Sequence, residues 1–142
     1  MKQTISRFVL LFIGAGCLMA ARGEPCKRRD AIRADNEAAS FLSWTAVYKS
    51  YKHYKQCDDA GIAERYGESV ARLLSEHWDG TRQLNRLASR DSGFERFVLR
   101  HVDVLMTPTQ AANIRNNASR HCPADAVSLC KAIISSLNES VK

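Results

Sequence analysis

The chain has no stretch in which apolar and polar residues alternate as a half-buried strand requires. It has no apolar run approaching the roughly 20 residues of a membrane-spanning helix. It contains no Cys-x-x-Cys pair, no glycine-rich loop able to cradle phosphate, and no recognisable Ser-His-Asp, Cys-His or paired-carboxylate order. No internal repeat and no Pro-rich or Gly/Ser-rich linker divides it. These absences argue against a β-rich fold, a phosphate-loop enzyme and a multi-domain chain. They also leave the chemistry of the protein unwritten in any motif.

What is present begins at the amino terminus. Residues 1–7 carry Lys2 and Arg7 and no acid; residues 8–18 are an uncharged, largely apolar run; Ala20, Ala21 and Gly23 then precede Glu24. A charged end, a short apolar stretch and small residues before a cut are the parts of a secretory signal peptide. The sequence therefore predicts export, with residues 1–23 removed and a single domain at 24–142. Cleavage after Gly23 puts Ala21 at the minus-three position; cleavage after Ala20 is the alternative. A second alternative is a lipoprotein anchored to the outer membrane through lipid on Cys17. The small residues before Cys17 fit that signal, but Gly14 stands where an aliphatic residue is expected.

Removing the signal changes the charge. The whole chain has 21 basic and 15 acidic residues, and Lys2, Arg7 and Arg22 precede Glu24 while no acid does. The exported part is left with 18 basic against 15 acidic residues, a net of +3. That is an ordinary solubility charge, not the basic footprint of a nucleic-acid binder. The remaining 119 residues suffice for one core.

Four cysteines remain in the exported part: Cys26, Cys57, Cys122 and Cys130. An even set in an exported chain predicts two disulfides. A zinc site of Cys57, Cys122, His53 and His121 is the competing reading, unsupported by ligand spacing. If a helix spans 30–55, Cys26 and Cys57 flank it some 37 Å apart, and Cys122 and Cys130 at one end of another helix stand about 12 Å apart. Both separations exceed the roughly 7 Å that a disulfide spans between Cα atoms. The expected pairings are then 26–130 with 57–122, or 26–122 with 57–130. Both conflict with a straight first helix, which must start late or kink.

Every long segment has helical period, so the fold class expected is all-α, a compact bundle of five to six helices. The first helix is placed at 30–55, where Phe41, Trp44, Tyr48 and Tyr51 form one stripe. The second lies at 60–78 and a short third at 81–90, divided by Asp79-Gly80. Ser92 and Glu95 have capping-box spacing, and so do Thr107 and Gln110, the latter with Pro108 at the first helical position. The fourth helix therefore starts at Ser92, the fifth runs 107–118 and the last 123–139.

Two patterns are candidates for function. In residues 48–55 tyrosine and lysine each recur at every third position. Lys49, Lys52 and Lys55 form a slowly winding row that suits an anionic partner, with Tyr51 or Tyr54 as aromatic anchor. The bland alternative is that the tyrosines cover the core and the lysines face water. The second pattern is a recurring His-x-Asp, His77 with Asp79 and His101 with Asp103. Histidine and carboxylate are the material of acid–base catalysis. Residues two apart on a helix point to opposite sides, however, so neither pair assembles itself. Asn117 and Asn138 begin glycosylation sequons, read as chance in a chain whose signal looks bacterial.

The reading that follows is an exported, non-enzymatic binding protein of the cell envelope or periplasm, in kind like small helical inhibitor or immunity domains. It implies no cofactor and no metal. Its partner is another protein or an anionic envelope component, not nucleic acid, and it meets a membrane only if Cys17 is lipidated. The alternative is a small envelope enzyme using His77 or His101 with a nearby carboxylate.

Overall fold

The structure is a computed structural model that describes residues 24–102 and 105–140. Along the chain run α1 (Arg28–Ala38), α2 (Trp44–Tyr54), α3 (Ala60–Glu76), α4 (Thr81–Ala88), α5 (Ser92–Arg100), α6 (Pro108–Arg120) and α7 (Val127–Glu139). Turns of 3-10 helix occupy Lys55–Cys57, Trp78–Gly80 and Ala124–Ala126. No strand occurs among the described residues. The all-α class is as expected, with seven helices among the described residues rather than five or six. The signal segment, Cys17 and Asp103 lie outside the described residues.

The extra helix comes from a break in the segment expected to be a single helix at 30–55. α1 ends at Ala38 and α2 begins at Trp44, with Ser43 extended and its hydroxyl accepting from the Ala46 N–H at 3.3 Å. A serine in this position satisfies a donor that the new helix would otherwise strand. The carbonyls freed at the end of α1 are taken up by α3. Ser69 donates to the Ala38 carbonyl, and Arg72 donates to the carbonyls of Ala39 and Phe41. The stripe read from sequence is nonetheless on the inside: Phe41, Trp44 and Tyr51 are buried, Phe41 in the connection rather than on a helix.

This break decides the disulfides. With α1 folded back against α2 and α3, Cys26 returns to Cys57, and their Cα atoms are 4.8 Å apart. Cys122 pairs with Cys130 at 6.2 Å. Two bridges are present as expected, but both pairings the helical rise was taken to exclude are the ones formed. An unbroken helix over 30–55 would hold Cys26 away from Cys57, and the break removes that separation. Residues 122–130 are not helical throughout: Pro123 is extended and a 3-10 turn precedes α7, so the chain doubles back within eight residues. The competing zinc reading fails for the same reason, since Cys57 and Cys122 are both bridged.

α3 lies at the centre, against α1 on one side and α6 on the other, and α6 carries α7. α2 packs on α1 and α4, α4 on α5, and α5 on α7. Trp44, Tyr66, Phe94, Phe97, Leu73, Leu74, Ile114 and Ile133 fill the interior. Tyr51, Phe94, Phe97 and Tyr66 form a ring cluster, with Tyr51 to Phe97 and Tyr66 to Phe97 each 5.0 Å between centroids. Burial pushes the Tyr66 hydroxyl up to about 12, even though Ser50 bonds it at 2.8 Å.

Helix starts follow local chemistry closely. Thr107 makes a full capping box with Gln110, and Pro108 holds the first helical position. At α5 the cap is one residue earlier than the spacing suggests. Asp91 accepts from the Phe94 N–H at 3.1 Å, and Ser92 is the first residue of the helix. Aspartate accepts through two charged oxygens, so it displaces the serine as cap. α5 then ends at Arg100.

Candidate functional site

The row on α2 is divided by the core. Lys49, Lys52 and Lys55 are exposed, whereas Tyr51 is buried among Phe94 and Phe97 and forms part of the floor. Tyr54, partly buried beside the His53 ring, is the tyrosine left for an anchoring role. The lysines are also unequal. Lys52 Nζ lies 3.6 Å from Asp91 and 5.9 Å from the centre of the Tyr48 ring. Lys55 Nζ lies 5.5 Å from the centre of the Tyr51 ring. Lys49 enters no ion pair among the described residues. A cation over an aromatic face is attracted by the ring quadrupole, which steadies the lysines without neutralising them.

The cationic face extends beyond α2. Burial and the Asp91 carboxylate push the Tyr51 hydroxyl up, while the positive charges of Lys52 and Arg96 pull it back. The charges of Arg96 on α5 and Lys52 on α2 both reach the Tyr51 hydroxyl, and Arg100 follows one turn after Arg96. Lys52 and Lys55 border a shallow recess with Glu24, Lys52 also pairs with Asp91, and Arg100 is held by Asp58. Sequence reasoning missed Arg96 and Arg100. Their i, i+4 spacing is legible, but nothing in the sequence says that α5 lies beside α2. Asp91 ties the two helices. Its partial burial opposes the charged form, yet the Phe94 N–H, the Lys52 charge and the Tyr48 hydroxyl together hold its carboxyl below the ordinary carboxylate value.

His101 has a different partner from the one its sequence neighbourhood offers. It is buried, with Nδ1 at 2.7 Å from the Phe97 carbonyl and Nε2 at 2.9 Å from Asp58 Oδ1. Arg100 donates to the other Asp58 oxygen at 2.8 Å. Asp58 follows the bridged Cys57 and precedes α3, so this cluster locks the end of α5 to the start of α3. Both ring nitrogens lie within hydrogen-bond distance of protein oxygens, so neither faces an open site.

His77 stands at the opposite end of α3, exposed, with its backbone N–H closing the helix on Leu73. The 17 residues of α3 separate it from Asp58, a rise of roughly 25 Å. The two histidines therefore do not share a site. His77 and Asp79 border a small recess with Leu42, Trp44 and Gly80. Trp78, between them in sequence, donates to the His121 carbonyl at 2.9 Å, beside bridged Cys122. Among the sequon residues, Asn117 donates to the Leu74 carbonyl and Asn138 accepts from Arg115. Compared with protein-family models, curated proteins and solved structures, the chain matches none.

Proposed function

We propose that this chain is an exported, non-enzymatic binding protein of the envelope or periplasm that holds an anionic macromolecule against the face shared by α2 and α5. The observation that carries the reading is the exposed lysine row of α2 over an aromatic floor shared with α5, with Lys52 against the Tyr48 ring and Lys55 against the Tyr51 ring. Lysines three residues apart on α2 rise only about 4.5 Å from one to the next. That is well inside the Debye length of roughly 8 Å at physiological salt, so the charges act on a partner together. The floor is rigid because Tyr48 and Tyr51 are held by Phe94, Phe97 and Asp91, so little ordering is left to oppose binding. The separation of His77 from His101 supports binding over catalysis, as does the full engagement of the His101 ring. The disulfides suit an oxidising compartment, in line with export.

Capture from envelope extract on the immobilised disulfide-bonded domain tests the reading. The expected binder carries a dense acidic or phosphate-bearing surface and is released by salt. A binder retained equally by a Lys49→Gln, Lys55→Gln, Arg96→Gln variant contradicts it. Neutral glutamine is preferred to charge reversal, and Lys52 is spared, because a glutamate there would face Asp91, the cap of α5.

A further inference from the structure

The recess at the end of α3 contains a donor with no acceptor. Trp44 is 1% exposed, and its Nε1 has no hydrogen-bond partner among the described residues. A buried indole N–H is almost always bonded, because leaving it unmade carries its full desolvation cost. The unmet edge of the ring faces Gly80. A Cβ at residue 80 would stand 3.1 Å from Trp44 Cδ1 and 3.4 Å from Nε1. Gly80 itself has φ −70°, which any residue adopts. Its lack of a side chain therefore serves no backbone need; it lets the turn come close to the buried indole edge, against which a Cβ would press. Across the recess Asp79 is exposed and enters no ion pair among the described residues. Leu42, 82% exposed, stands at the rim.

The occupant follows from this wall. It must accept from the indole N–H and must not bring negative charge to Asp79. A group that accepts at one end and donates at the other meets both conditions. The volume is about 210 Å³, below the roughly 300–1,000 Å³ of sites for free drug-sized ligands. It suits one side chain, with Leu42 and Leu73 against its methylenes. We propose that the recess between the Leu42 turn and the α3–α4 turn binds a carboxamide of a partner polypeptide. The carbonyl accepts from Trp44 Nε1 and the N–H donates to Asp79. The proposal rests on the binding-protein reading for the source of the carboxamide, but not for its chemistry.

The two tryptophans make the test direct. The indole N–H of Trp78 is bonded to the His121 carbonyl and serves as internal reference, and Trp78→Phe assigns the two signals in a proton–nitrogen spectrum. The disulfide-bonded protein is titrated with N-acetylglutamine methylamide, its glutamate counterpart and its alanine counterpart. The Trp44 indole signal is expected to move saturably with the glutamine probe while Trp78 stays still. The glutamate probe, repelled by Asp79, should bind on the order of tenfold more weakly. Gly80→Ala, which covers the indole edge without straining the backbone, should abolish the response. An equal response to the alanine probe, which lacks the side-chain carboxamide, overturns the proposal. A Trp44 signal that does not move, that moves equally with glutamate, or that moves unchanged in Gly80→Ala overturns the proposal, and a site holding only an ordered water gives the first of these results. None of these probes depends on the lysine face, so its failure and the failure of the recess are separate results.

Discussion

The two ends of α3 carry the same kinds of residue in opposite states. At the start, Asp58 holds Arg100 and His101, His101 also holds the Phe97 carbonyl, and the Cys26–Cys57 bridge closes alongside. At the far end, His77 and Asp79 stand exposed, Trp44 has an unmet N–H among the described residues, and Trp78 is tied to a carbonyl beside the Cys122–Cys130 bridge. Histidine near aspartate therefore means structure where every polar atom is spent and surface chemistry where some are not. The motif in the sequence does not distinguish the two; the hydrogen-bond account does.

The largest expected effects break the ends apart covalently. Cys26→Ala with Cys57→Ala opens a link between residues 31 apart, and Cys122→Ala with Cys130→Ala one between residues 8 apart. Loop entropy makes the first worth about 3.7 kcal/mol and the second about 2.5 kcal/mol. Chemical denaturation of the two double variants should rank them in that order. Peptide mapping without reduction should recover 26–57 and 122–130; either crossed pairing would contradict the fold. Next comes Asp58→Ala, which strands the buried His101 and should cost about 1–3 kcal/mol. His77→Ala at the other end should stay within about 0.5 kcal/mol. Similar losses for the two would erase the contrast between closed and open ends.

Smaller effects sharpen the account of the helix starts. Asp91→Ala and Thr107→Ala should each cost about 0.5–2 kcal/mol, as losses of caps, whereas Ser92→Ala should stay within about 0.5 kcal/mol. The carboxyl of Asp91 titrates below its ordinary value in the fold. Its charge therefore stabilises fully above the unfolded value, about 3.9, and the contribution is lost as pH falls through the lower folded value. Asp91→Asn keeps a good cap but should flatten that acid limb of the stability curve. Ala60, at φ 44°, takes the left-handed conformation beside the closed end. Ala60→Gly should relieve about 1 kcal/mol there, read as a higher denaturation midpoint.

Much of the fold was legible because it is written locally. The apolar stripes and the Thr107 capping box each depend on residues within a few positions. The expected Asp79-Gly80 stop did not hold: α3 ends at Glu76 with the His77 N–H on the Leu73 carbonyl, and Gly80 has φ −70° inside a 3-10 turn. The break at 39–43 was not legible, since the carbonyls it frees are satisfied by Ser69 and Arg72 some 30 residues away. The disulfide pairing was lost with it. Ser92 was read as the cap because its spacing to Glu95 is correct, while Asp91, one place earlier, supplies the stronger acceptor. In the candidate site, the lysine row was legible and its continuation on α5 was not. Arg96, Arg100 and the Asp58 partner of His101 arrive by tertiary packing alone.

The central claim is that the chain binds through a shared cationic face of α2 and α5. Its most direct test is the salt dependence of affinity for the captured partner, measured for the native protein and for Lys49→Gln, Lys55→Gln, Arg96→Gln. The native affinity should fall as salt rises, because exposed charges are screened beyond the Debye length. The variant, unchanged in denaturation midpoint, should bind more weakly and with a flatter salt slope. A variant that keeps both the native affinity and the native slope would reduce these cations to a solvated helix surface and contradict the account.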